Sequence, residues 1–201
     1  MGEYKYIQTY TRYSNTENFQ QILGNFRHLL LKIGLSLDEI DNWLSNITWS
    51  LDDSRIGSVE SILPKQNKLL ELDHSKLNVR ASIIIWTDNI GSYLLEEPWV
   101  ELLVMVKLKD QSYTNDFSNL EKVLVKIMSL FNETFQETGV YITNEMQDGE
   151  AFIGLLGNGD EKLWAFDCAI IPLHYYPLYE NVPKDFRSYT VPHGKGYVRK
   201  N

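Results

Sequence analysis

Asp167, Cys168 and His174 lie within one short stretch and supply the residue types of a thiol hydrolase or transferase: a carboxylate, a nucleophile and an imidazole. Their spacing argues against that use. On a strand, Asp167 and Cys168 point to opposite faces. Cys168 then shares its side with Trp164, Phe166 and Ile170, where a free thiol behaves as a small buried hydrophobe. Asp167 says more. A carboxylate between Ala165 and Ala169 in an apolar run is costly unless paired or wet, and Arg80 is the partner expected for it in a structural ion pair. An enzyme or small-ligand receptor built on this chain would place Glu101, Asp167 and His174 in a pocket between the sheet and the aromatic C-terminal segment. One of the carboxylates would act as base and the imidazole as acid.

Other motifs are weaker still. His28, His74, His174 and His193 show no metal-ligand spacing. The acidic turns at Asp52-Asp53 and Asp148-Gly149-Glu150 lack the calcium-loop pattern. The glycines at 154, 157 and 159 are not followed by the Lys-Ser/Thr of a phosphate loop, and Asp160-Glu161-Lys162 has no upstream acidic strand residue to complete a nuclease site. No metal and no cofactor are expected, and the reading leans away from an enzyme.

Charge points to binding instead. The 201 residues carry a net charge of −8, which opposes nucleic-acid binding because lysine and arginine supply most of that affinity. The excess is concentrated: residues 111–162 hold 9 acidic groups against 3 basic ones. Glu133, Glu137, Glu145, Asp148, Glu150, Asp160 and Glu161 are therefore candidate contacts to a protein partner with a basic cleft. Tyr175, Tyr176 and Tyr179 join them, since tyrosine offers a large rigid surface with a polar tip. The expected function is a small acidic binding protein that inhibits or regulates another protein, of the toxin-immunity or anti-defence inhibitor type. The alternatives are the enzyme or receptor above and a subunit of a larger assembly that docks through Trp99, Leu103 and Met105. A lone cysteine, no apolar leader at the N-terminus and no long apolar run predict a cytoplasmic chain without a membrane span.

These residues must be positioned by regular elements. Apolar residues at helical spacing predict a helix over 16–33, capped near Asn15 and ended by Gly34. A short second helix follows, with Ser36 and Glu39 as a capping box and Leu37, Ile40, Trp43 and Leu44 as its stripe. A long helix is predicted over 117–137. Strands are expected near 68–72 and over 78–87, 99–108, 140–146 and 163–171. In the strand over 99–108, Val100, Leu102, Val104 and Val106 line one face, and Trp99, Glu101, Leu103 and Met105 form a second, only partly dry one. The order of elements lacks the steady β-α-β alternation of a parallel sheet. The expected fold is α+β: a mostly antiparallel sheet of four to six strands, two long helices packed on one face and a short helix near the N-terminus. One domain is expected over 1–186, followed by a basic, flexible tail over 187–201.

Overall fold

The computed structural model describes residues 4–47, 58–63, 68–72, 75–86, 89–90, 93–94, 97–108, 116–143 and 163–200. Strand β1 (Lys5–Arg12) alternates sides, with Ile7 facing one way and Gln8 and Tyr10 the other, all of them buried. Helix α1 (Thr16–Lys32) starts where the Asn15 side chain accepts the Asn18 N–H at 2.8 Å, and it is closed by Gly34 at φ 92°. Phe19, Ile22, Leu23, Phe26, Leu29 and Leu30 form its buried stripe. Helix α2 (Leu37–Leu44) follows and buries Ile40 and Trp43. The capping box expected there does not form: the Ser36 side chain makes no cap bond, and Leu37 is exposed. Arg27 holds α1 to α2 through a two-pronged bond to Asp41, with Nη2 at 2.9 Å.

The remaining strands are β2 (Ser58–Ile62), β3 (Lys68–Leu72), β4 (Ser75–Trp86), β5 (Asn89–Ile90), β6 (Tyr93–Leu94) and β7 (Trp99–Leu108). After helix α3 (Asp116–Thr134) come β8 (Val140–Thr143), β9 (Cys168–Pro172), a 3₁₀ helix (Leu173–Tyr179), β10 (Phe186–Val191) and β11 (Gly194–Arg199). One antiparallel sheet takes nine strands, eight of them in the order β10-β11-β9-β8-β1-β7-β4-β2, and β3 pairs with β4 beside β2. Strands β5 and β6 form a separate two-stranded ribbon.

The expected fold class is thus corrected. The sheet is far larger than four to six strands, and among the described residues it carries several short helices in place of the expected two long ones, so the fold is mostly sheet, a modest α+β mix. Two segments account for most of the difference. Of the stretch 187–201, expected as a flexible tail, the described residues supply β11 and most of β10, which are paired into the sheet next to β9. In addition, β2 and β3 share the far edge, where each pairs with one half of β4. The run over 163–171 is a strand only from Cys168 onward, because Leu163 and Phe166 fold back to pack on the sheet.

Alternation along the strands produces two different faces. Ile7, Val79, Ala81, Ile83, Ile85, Val100, Leu102, Val104, Val106, Val140 and Ile142 meet α1, α2 and α3 in a mainly aliphatic and phenylalanine core that also takes in Tyr13, Trp43 and Met128. The opposite face gathers Tyr10, Ile84, Trp86, Trp99, Tyr141, Ala169 and Ile171 with Leu163, Phe166, Tyr179, Phe186 and Tyr197. Trp99, Leu103 and Met105, considered above as an assembly surface, are buried there, as is Glu101. That face is covered, not partly wet. Gly139 is required at its turn: its φ is 110°, and an added Cβ would stand 2.8 Å from the Ile170 carbonyl oxygen.

Candidate docking segment

The three residues of the alternative pocket do not come together. Glu101 lies on β7, opposite Tyr10 of β1 and Ile84 of β4, and is 1% exposed. Asp167 immediately precedes β9, where its N–H donates to the Ile142 carbonyl oxygen at 2.8 Å. Strands β1 and β8 stand between β7 and β9, a separation of about 14 Å at the usual strand spacing. The partner of Asp167 is Lys5, with Nζ 3.8 Å away, and not Arg80, whose guanidinium lies over the Tyr4 ring. Cys168 faces the helical side. Its sulfur is 3.6 Å from the Tyr189 hydroxyl, and burial pushes its thiol pKa up, away from the thiolate a nucleophile needs.

Glu101 is instead the acceptor in a sealed network. The Trp86 indole Nε1–H donates to it at 2.8 Å, and Tyr10 hydrogen bonds to it in turn. Gln8 Nε2–H donates to the Tyr10 hydroxyl at 2.9 Å. Burial first, and then the neighbouring Glu101 charge, raise the Tyr10 phenol well above its ordinary range, so it stays protonated and able to donate. Tyr141 is raised too, by burial first, and its hydroxyl donates to the Thr138 carbonyl oxygen at 2.5 Å. Such a network orients strands and aromatic rings without presenting a reactive group to solvent.

The 3₁₀ helix makes a different arrangement. Tyr179 is its anchor: fully buried, it sits with ring centroids 5.1 Å from Trp164 and 5.7 Å from Tyr197. The other end is held by His174, whose Nε2 lies 2.7 Å from the Glu137 carbonyl oxygen. A carbonyl can only accept, so that nitrogen carries the hydrogen. Tyr175 packs edge-on against His174 at 4.9 Å. Burial raises the Tyr175 phenol, while Arg12 lowers it and Glu137 raises it. Tyr175 and Tyr176 are half-buried. The large hydrophobic side chains left in solvent on this stretch are aliphatic: Leu173 at 66%, Leu178 at 43% and Val182 at 36% exposure.

Sequence reasoning placed its weight on the tyrosines of this stretch and missed the aliphatic residues. The available signal was proline. Pro172, Pro177 and Pro183 keep the segment from forming a long helix or strand, so it cannot turn all of its apolar residues inward.

Below this segment, Glu137 is fully engaged. Its Oε2 accepts the Thr11 hydroxyl at 2.8 Å and the Arg12 N–H at 3.0 Å, and its Oε1 lies 3.0 Å from Arg12 Nε. Arg12 also reaches Glu97 at 2.8 Å and covers the Trp99 ring. Glu133 is exposed near the end of α3. Glu145, Asp148, Glu150, Asp160 and Glu161 lie outside the described residues. Among the described residues no group of three or more His, Cys, Asp or Glu side chains is arranged to hold a metal, and no helix is long and apolar enough to cross a membrane. No family model, curated protein or solved structure matches this chain.

Proposed function

We propose that the protein binds another protein and inhibits or regulates it, in the manner of a toxin-immunity or anti-defence inhibitor, and that it docks through residues 173–182. The observation that carries this reading is the exposure of Leu173, Leu178 and Val182 on one short segment that is held at His174 and Tyr179. Exposed aliphatic groups gain free energy when covered, and a segment already held in place loses little conformational entropy on binding. Tyr175 and Tyr176, half-buried in the same segment, add phenol groups to it. The net charge of −8 favours a basic partner by speeding encounter.

The test is capture from the native host at low ionic strength, comparing the natural chain with a Leu173→Asp/Leu178→Asp variant. The natural chain is expected to retain a stoichiometric protein that the variant loses, while both unfold at nearly the same temperature. A partner retained equally by both would sink the assignment of the segment. A chain that captures no protein would sink the function.

A further inference from the structure

We propose that the outer side of β10 is a second binding surface, which accepts an acidic, extended segment of another protein as an additional strand of the sheet. This inference does not depend on residues 173–182 being a docking segment.

The backbone geometry comes first. A two-residue loop, Pro192-His193, joins β10 to β11, with His193 at φ 61°. Such a loop is closed by a hydrogen-bonded pair, here Val191 and Gly194, so Tyr189–Gly196 and Arg187–Val198 are also bonded pairs. The neighbouring ladder agrees: the Arg199 N–H donates to the Asp167 carbonyl oxygen at 2.8 Å, as it must if alternate residues of β11 bond to β9. On β10, the N–H and C=O groups of Ser188 and Thr190 therefore point away from the sheet, joined by the carbonyl of Phe186. The Phe186 N–H is already taken by the Pro183 carbonyl oxygen at 3.0 Å. Among the described residues no strand pairs with this side.

The edge is also regular and rigid. Strand β10 has no proline and keeps an unbroken register with β11 over six pairs. Its turn is held to α3, where Asn132 Nδ2–H donates to the Pro192 carbonyl oxygen at 3.1 Å. Tyr189 lies flat over Gly196, where an added Cβ would stand 2.2 Å from the ring, and so does not project beyond the edge. Among the described residues the opposite edge of the sheet is split between β2 and β3, each of five residues. A continuous row of unpaired backbone groups is a template for strand addition, and proteins that do not use one generally interrupt it.

Charge selects the occupant. Residues 184–200 carry Lys184, Arg187, Lys195, Arg199 and Lys200 against Asp185 alone, in a chain whose net charge is −8. Two copies pairing through β10 would bring these basic groups together, whereas an acidic strand would meet them with opposite sign. Arg187 is exposed on the strand itself, in position to face an acidic side chain directly across the new ladder.

The probe is a fluorophore-labelled eight-residue peptide alternating glutamate and valine, titrated with the full chain at low salt and followed by anisotropy. Binding is expected, and the same peptide N-methylated at alternate amides, with its charge intact, is expected not to bind. Ser188→Pro removes one outward N–H without touching a bond to β11, and should weaken binding about tenfold. If that variant unfolds, the methylated peptide still decides the matter. Three results would overturn the proposal: no binding of the acidic peptide, equal binding of the methylated peptide, or equal binding of a lysine-for-glutamate version. Sedimentation showing a dimer that Ser188→Pro dissolves would also overturn it, by making the occupant a second copy.

Discussion

The two faces of the sheet are built from alternate residues of the same strands, yet they solve different problems. Under the helices, Val79, Ile83, Val100, Leu102 and Val104 meet Phe26, Phe131 and Leu30, none with a side-chain polar group to satisfy. On the other face, Tyr10, Tyr141, Trp86 and Glu101 are just as deeply covered, but each carries a polar atom that must find a partner. Volume governs the first face and bond geometry the second. An aliphatic core tolerates exchange among residues of similar size, while a polar network tolerates only substitutions that keep its donors and acceptors matched.

Deleting volume on the helical face should have the largest effect. Phe26 is fully buried, with its ring 6.2 Å from Phe131 and 6.4 Å from Trp43, so Phe26→Ala leaves a cavity that fixed neighbours cannot fill. A loss of about 4 kcal/mol is expected in denaturant unfolding, and Phe26→Leu should recover much of it. A loss under about 1 kcal/mol would mean that this face is loosely packed and that the contrast is misdrawn.

On the opposite face, Glu101→Ala should cost about 3 kcal/mol, chiefly because the Trp86 indole N–H is left buried without its acceptor. Glu101→Gln keeps an acceptor for Trp86 and should cost clearly less. If alanine and glutamine were equally damaging, the charge would matter and not the bond. That result would move Glu101 out of the structural network and reopen a chemical role for it.

The same contrast explains what the sequence made legible. The helical face was readable because period-two and helical spacing report apolar burial directly, as with Val100, Leu102, Val104 and Val106. The second face was not, since a glutamate at position 101 reads as a solvent residue until Trp86 and Tyr10, distant in sequence, are brought beside it. The terminal hairpin was hidden for a local reason: its turn uses His193 at positive φ where glycine or asparagine is the usual signal, and Arg187-Ser188-Tyr189-Thr190 offers little apolar alternation. The pairing of β11 with β9 settles its structure, and no local pattern reports that contact. The segment over 173–182 was visible as an aromatic stretch, but which side chains turn outward depends on Tyr179 packing against Trp164.

Two carboxylates differ in the same way, Glu101 sealed and Asp41 wet. Asp41 sits on the solvent side of the helical layer, where its hydrogen bond with Arg27 lowers its pKa from the ordinary value. A folded-state pKa below the unfolded one means that the pair contributes fully at neutral pH. The contribution begins to fade as pH drops through about 4, and it is gone once pH falls below the folded value. Asp41→Asn should therefore lower stability slightly at pH 7, and the difference from the natural chain should vanish at low pH and shrink in high salt. Glu101→Gln, in contrast, should respond little to salt, because its surroundings exclude the ions that screen Asp41. Unfolding measured across pH and salt for the two variants separates the cases. Equal salt sensitivity would mean that water reaches the Trp86–Glu101 pair, and that the second face is wetter than its packing implies.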